Sequence, residues 1–302
     1  MALSLYIIKK YILVFAGKSV LTVNQDEGKC YSKTEVAGYY NNLTDKILKF
    51  GKPGNQLPLG HPAPGVEMYF SIEIFQYGLA AYDLYLLTKD SSFLGKVKAC
   101  ADWALENQEE KGGWPTFTYK RPDQLYSAMA QGEALSLLVR AHKAFGDSKY
   151  LDAARKAKAF MMMPVEKGGT TVYSDGKIYL YEYLNSPLVL NGWIFSAWGI
   201  YDYAKFFNDK EAFEEWNNTV MAMAEKLHVY DHGYWSMYDD GKGLANPFYH
   251  KLHIVQLNTM YDLTGIEEFR KYRDIFIGYQ NKRWNRIRAF LYKVWQKTTE
   301  KD

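Results

Sequence analysis

The sequence predicts a mainly α protein, an α/α toroid or incomplete barrel of helical hairpins with short β-hairpin loops and an irregular N-terminal arm. Three observations carry this prediction. From Ser71 onward apolar residues recur at helical spacing. A unit made of an apolar helix, a short polar turn containing Asp and a second amphipathic helix recurs about four times. Glycine turns leading into aromatic extended pieces separate the units.

Residues 1–65 hold mixed patterns broken by Gly51, Pro53, Gly54, Pro58, Gly60, Pro62, Pro64 and Gly65, so they read as an arm laid on a main body of residues 66–302. The first helices of the units fall at residues 77–88, 130–145, 190–207 and 253–263. Gly78, Gly132 and Gly192 sit at matching places, roughly 55 to 60 residues apart. The turns Lys89-Asp90-Ser91, Gly146-Asp147-Ser148 and Asn208-Asp209-Lys210 carry helix-capping chemistry. Between units stand Gly112-Gly113-Trp114-Pro115, then Gly168-Gly169 with Val172-Tyr173, then Gly233-Tyr234-Trp235. Such a ring gathers its loops around one mouth, so a catalytic set can be scattered over several repeats.

Composition narrows the function. The chain has 302 residues, 48% apolar and 24% charged, enough for a sizeable core, and its net charge of +3 does not argue for nucleic acid. Aromatic residues reach 17%, with 26 tyrosines; such rings pack on the apolar face of a pyranose, although a tyrosine-rich core accounts for them equally well. Cys30 and Cys100 lack the spacing of a zinc site or disulfide framework and read as buried thiols. Lys9 and Lys10 interrupt the apolar N-terminus, no cleavage-site pattern follows, and no run approaches the roughly 18 apolar residues of a membrane span, so a soluble, cytoplasmic protein is expected. The final stretch, residues 282–301, sets Lys282, Arg283, Arg286, Arg288, Lys293 and Lys297 beside Trp284, Ile287, Phe290, Leu291, Val294 and Trp295. A packed terminal helix with a solvated basic face is the plainer reading, and weak contact with a membrane surface the other.

Several strings of low degeneracy follow one another along the chain. They are Ile74-Phe75-Gln76-Tyr77-Gly78-Leu79; Asp102-Trp103 with Asn107-Gln108 and Glu110-Lys111-Gly112-Gly113-Trp114-Pro115; and Tyr126-Ser127-Ala128-Met129-Ala130-Gln131-Gly132 with Leu138-Val139-Arg140-Ala141. Further along come Glu182-Tyr183 with Val189-Leu190-Asn191-Gly192, Tyr230-Asp231 with Tyr238-Asp239, and Tyr249-His250 with His253-Ile254 and Gln256-Leu257. These strings, in order from about residue 68 to residue 275, resemble the C-terminal domain of heparan sulfate and heparosan D-glucuronyl C5-epimerases. Two departures stand out: a β-rich region of the animal enzymes is compressed here to one helical hairpin, and the family's arginine after the tyrosine matching Tyr238 falls on Gly241, beside Lys242.

The resemblance implies a cofactor-independent isomerase that inverts C5 of D-glucuronate to L-iduronate within an acidic polysaccharide. That reaction needs two acid/base groups across the sugar ring and donors or cations on the substrate carboxylate. The resemblance assigns Tyr183, Tyr238, Tyr249 and Glu182 to the acid/base set. Asn191, Arg140, Lys242, Lys251, His253, Gln131 and Trp114 are the expected substrate contacts. No metal or cofactor is expected: His250 and His253 lie three apart on a helix, but no third ligand pattern accompanies them. A homodimer is the expected form of any self-association. Two alternatives stay open: a polysaccharide lyase, which begins with the same C5 proton abstraction, and a non-catalytic protein that binds acidic polysaccharide.

Overall fold

The computed structural model describes residues 9, 11–16, 25–63, 65–120, 124–241 and 243–299. The chain divides into two compact units, Gln25–Ala222 and a second formed by Met223–Asp302 with the N-terminal segment Met1–Asn24. The fold is mainly α, built of α/α hairpins with short β-hairpins between them.

The larger unit opens with short strands β1 (Asp26–Glu27) and β2 (Asn41–Asn42), one helical turn α1 (Asp45–Leu48), and the hairpin β3 (Gly60–Ala63) and β4 (Val66–Met68). Three helical hairpins follow: α2 (Ser71–Thr88) with α3 (Ser92–Asn107), α4 (Ala128–Phe145) with α5 (Lys149–Met162), and α6 (Leu190–Phe207) with α7 (Lys210–Lys226). Strands β5 (Thr171–Ser174) and β6 (Lys177–Leu180) pair between the second and third hairpins.

The first helix of each hairpin is buried all round. Every residue of α4 from Ala128 to Ala141 is buried, and every residue of α6 from Leu190 to Ala204. The second helices bury only a stripe, as in α3, where Val97, Cys100, Ala101 and Ala104 face inward. A helix apolar on all sides belongs inside, and a one-sided helix covers it. Accordingly α2 packs on α4 and α4 on α6, the succession of inner helices in an α/α toroid. The α4–α6 crossing is backbone on backbone: a Cβ on Gly132 would lie 2.7 Å from the Ser196 Cα, and one on Gly199 would lie 2.3 Å from the Gly132 carbonyl oxygen.

The repeated turns have the expected chemistry. Lys89, Gly146 and Asn208 each take a left-handed conformation just past an inner helix, with φ of 60°, 72° and 50°. The following aspartate then accepts an N–H at the start of the next helix: Asp90 from Ser92, Asp147 from Lys149 and Asp209 from Ala212, all near 3.0 Å. Helix α2 begins at Ser71 rather than residue 77, with Ser71 and Glu73 in a first turn that leads into the wholly buried run from Ile74 to Leu84.

The smaller unit contains α8 (Pro247–Thr264), α9 (Glu267–Gln280) and α10 (Arg283–Thr299). Helix α8 starts ahead of residue 253 because Asn246 caps it, accepting from the Tyr249 N–H at 3.0 Å, and Pro247 fits its first position. Helices α8 and α9 form a further hairpin, closed by Gly265 at φ 70°.

Within the larger unit the segment before α1 is fixed by one side chain from each inner helix. Asp83 of α2 accepts the Tyr39 N–H at 2.8 Å. Arg140 of α4 donates to the carbonyls of Ala37 at 2.8 Å and Gly38 at 2.9 Å. Asp202 of α6 accepts from the Tyr40 hydroxyl at 2.7 Å and pairs with Arg140 at 2.5 Å, both members of the pair being wholly buried. Removing one partner of a buried pair strands the other's charge, which costs far more than losing a surface pair. Arg140→Met is expected to lower unfolding stability by about 3–5 kcal/mol, while the double variant Arg140→Met with Asp202→Leu loses less. Urea unfolding of both proteins checks this; a single-variant loss below about 1 kcal/mol would show that the pair does not hold the segment.

Candidate active site

Glu182 and Tyr183 are placed by the β5–β6 hairpin. Asp175 and Gly176 form its two-residue turn with φ of 51° and 72°, the left-handed pair that tight hairpins need. Beyond β6 the chain is stitched on both sides: the Tyr181 N–H donates to the Thr170 carbonyl at 3.2 Å, and the Tyr181 carbonyl accepts from the Ala128 N–H at 2.9 Å, at the start of α4. The next side chain, Glu182, turns inward and is 6% exposed.

Its carboxyl lies over Gly192 in the first turn of α6, where a Cβ would come within 2.4 Å of Oε2. Gly192 is thus the vacant space that lets the carboxyl sit there. Burial pushes the Glu182 carboxyl up to about 7, against a hydrogen bond with the Tyr183 side chain that favours the ionised form. Oε2 makes no hydrogen bond among the described residues. The Tyr183 ring, half-buried, stacks on Phe117 with centroids 4.6 Å apart. Asn191, beside Gly192, is buried at the same helix start.

The other candidates lie in the smaller unit. Isolated bridges pair Asp231 with Ser236 and Met237 with Leu244, so Tyr238 stands at the edge of a tight loop. Asp239 Oδ1 closes that loop by accepting the N–H groups of Gly241 and Gly243, each at 3.0 Å. The Tyr249 ring on the first turn of α8 meets Tyr238 edge to face, with centroids 4.7 Å apart and planes at 61°. Both rings are half-buried, as is Lys251. Lys242 lies outside the described residues.

Four expected substrate contacts are corrected by the structure. Arg140 spends all its donors inside the fold, on Asp202 and on the carbonyls of Ser136, Ala37 and Gly38, so none remains for a substrate carboxylate. Gln131 is fully buried and bonds both the N–H and the carbonyl of Trp114, at 3.3 and 3.4 Å. The Trp114 indole N–H donates to the Ala104 carbonyl at 2.9 Å, leaving that ring 1% exposed. His253 is fully buried; burial and the neighbouring His250 push it down to about 3, so it offers no positive charge. Ser236 Oγ ties the two imidazoles together, 2.8 Å from His250 Nδ1 and 3.0 Å from His253 Nδ1, and His250 stacks on Trp235 at 3.7 Å.

One buried acid escaped the sequence reading. Glu133, directly after the Gln131-Gly132 pair, is fully buried; Oε1 accepts from Gln76 Nε2 at 2.7 Å while Oε2 has no partner among the described residues. Burial pushes its carboxyl well up, and the nearby charges of Glu182 and Glu73 add to the rise. The signal available in the sequence was a glutamate in the otherwise uncharged stretch from Ala128 to Val139.

Residues 107–278 match the family described as the D-glucuronyl C5-epimerase C-terminus. The D-glucuronyl C5-epimerase of Caenorhabditis elegans is 32% identical over 210 residues, which is 60% of this chain and 34% of that protein. An uncharacterized protein of Methanocaldococcus jannaschii is 34% identical over 151 residues, 48% of this chain and 49% of that one. The matched part therefore spans about a third and about half of these curated relatives. Among solved structures, an unsaturated glucuronyl hydrolase from Streptococcus agalactiae aligns with a TM-score of 0.45 at 14% identity, covering 85% of this chain and 61% of its own. Another specific for heparin aligns at 0.48 and 12%, covering 82% and 81%.

The state of Glu182 can be tested without substrate. In the folded chain it keeps its proton to about pH 7, and in the unfolded chain it loses it near 4.5. The folded state therefore binds more protons between these values, and stability falls as pH rises through that window. Below it the carboxyl is neutral in both states and costs nothing; above it the full penalty, on the order of 3 kcal/mol, persists. Glu182→Gln is expected to match the wild type at about pH 4 and to be the more stable protein at about pH 8. Urea midpoints at the two pH values check this, and a pH-independent difference would show that Glu182 is ionised in the fold.

Proposed function

Because the chain belongs to the D-glucuronyl C5-epimerase C-terminal family, we propose that it is a cofactor-independent isomerase that inverts C5 of D-glucuronate to L-iduronate in a heparosan-like acidic polysaccharide. The acid/base roles fall to Tyr183 with Glu182 and to Tyr238 with Tyr249. The observation that carries this assignment is the Glu182 carboxyl: buried over Gly192, bonded to the Tyr183 side chain and raised to about 7. A proton-transfer group is most effective when its pKa lies near the working pH.

The C5 proton is weakly acidic, being next to a carboxylate. Its removal moves the electron pair into that carboxylate and forms an enediolate dianion. Return of a proton to the opposite face of C5 restores the carboxylate with inverted configuration. One group must take the proton and another deliver one. A phenol is a poor base in water but accepts a proton when its own can pass to a neighbour, and the Glu182 carboxyl is such a neighbour for Tyr183. For the substrate carboxylate, Lys242, Lys251 and Asn191 are the assigned contacts.

Proton NMR of a glucuronate polymer incubated with the protein in deuterium oxide tests the reading. Deuterium at C5 together with new iduronate signals is the expected result. Tyr183→Phe and Tyr249→Phe should each slow incorporation by about 100-fold or more. Gly192→Ala, which forces the Glu182 carboxyl off its seat, should do likewise. Absence of incorporation across several glucuronate polymers would leave a binding protein; ultraviolet absorbance from an unsaturated product would reassign the chain as a lyase.

A further inference from the structure

We propose that helix α10 is a docking surface for an anionic lipid membrane, lying in the interface with its outward apolar stripe inserted between the headgroups. The observation behind this is an inversion of the usual terminal helix. The apolar stripe faces solvent: Trp284 is 75% exposed, Ile287 45%, Leu291 60% and Trp295 58%. The side turned inward holds Ala289, Lys293 and Gln296. Lys293 reaches the Leu244 carbonyl at 2.6 Å and Gln296 Oε1 at 3.2 Å, so a lysine and a glutamine occupy the face where a packed helix would put its apolar residues.

Charge chooses the occupant. Helix α10 has no acidic residue, and Lys282, Arg283, Arg286, Arg288 and Lys297 are all exposed. At 100° per residue, Trp284, Ile287, Leu291 and Trp295 fall within an arc of about 80°. Arg288 borders this arc on one side, Arg283 on the other, with Arg286 and Lys297 farther round. A tryptophan closes each end of the stripe, about 16 Å apart along the axis. Indole rings favour the boundary between headgroups and acyl chains, while arginines at the flanks reach lipid phosphates. An apolar protein partner would be served by the stripe without this basic border.

A neighbouring segment packs beside the helix. Phe15 packs edge-on against Phe290, 5.4 Å between centroids, and its carbonyl accepts from Arg286 at 3.2 Å. Ile12 and Leu13, one helical turn away, are 51% and 41% exposed. No described helix is long and apolar enough to cross a membrane, so the contact is one of lying on the surface.

Flotation of the full chain with phosphatidylcholine vesicles, with and without phosphatidylserine, tests the proposal. The protein is expected to float with the anionic vesicles, to stay down with the neutral ones, and to be released by high salt. Its tryptophan emission should shift to the blue on binding. Trp284→Ser with Trp295→Ser, and separately Arg283→Glu with Arg288→Glu, should each weaken binding about tenfold or more. These side chains are exposed, and unchanged helical circular dichroism would confirm that the variants fold. Failure to bind anionic vesicles overturns the proposal, as does a concentration-dependent dimer that dissolves in the tryptophan variant, which would give the stripe to a second copy of the chain.

Discussion

The larger unit depends on one buried ion pair. Arg140 and Asp202 come from two inner helices and neither touches solvent. Each guanidinium N–H has an acceptor, and the pair also holds Ala37, Gly38 and Tyr40 of the preceding segment. A charge pair without water survives only when its remaining hydrogen-bonding capacity is met. The segment from Ala37 to Tyr40 meets it with carbonyls and a phenol, and in return its own backbone is ordered. Asp83, pushed up to about 7 by burial, anchors the Tyr39 N–H beside it.

The same economy of space shapes the candidate site. At Gly132 and Gly199 the missing side chains let α4 and α6 meet backbone to backbone. At Gly192 the missing side chain admits a carboxyl instead of another helix. The Glu182 carboxyl is thereby kept out of water but near the Tyr183 side chain, an environment that raises a carboxylic acid toward neutrality. Ionisation of Glu182 is thereby penalised, the kind of perturbation that marks a candidate acid/base position.

In the smaller unit the chemistry is arranged by short-range devices. Asp239 gathers two N–H groups to close the loop after Tyr238, and Asn246 caps the helix that carries Tyr249. The imidazoles of His250 and His253 are joined through Ser236 and held neutral by burial. Helix α10 is the exception to the logic of burial in this unit, because its apolar side faces outward.

The sequence by itself determined the hairpin architecture. Helical spacing, the aspartates at 90, 147 and 209 and the residues that follow each inner helix act locally, through turn geometry and capping bonds that reach only a few positions. It also determined which tyrosines and which glutamate to consider, through strings whose order matches a family. Tertiary structure alone decided what those side chains face. Arg140, Gln131, Trp114 and His253 stand in strings of the same series as Glu182 and Tyr183, yet internal partners hold every donor of Arg140, the Gln131 amide, the Trp114 indole N–H and His253 Nδ1, and burial removes all four from solvent. Glu133 stood out in the sequence only as a lone acid, because its hydrogen-bond partner Gln76 lies 57 positions before it. Nor could the wheel of α10 say which of its two faces looks inward. Burial is a property of the packed whole, and a side chain's pKa, charge and availability follow from burial rather than from its neighbours in sequence.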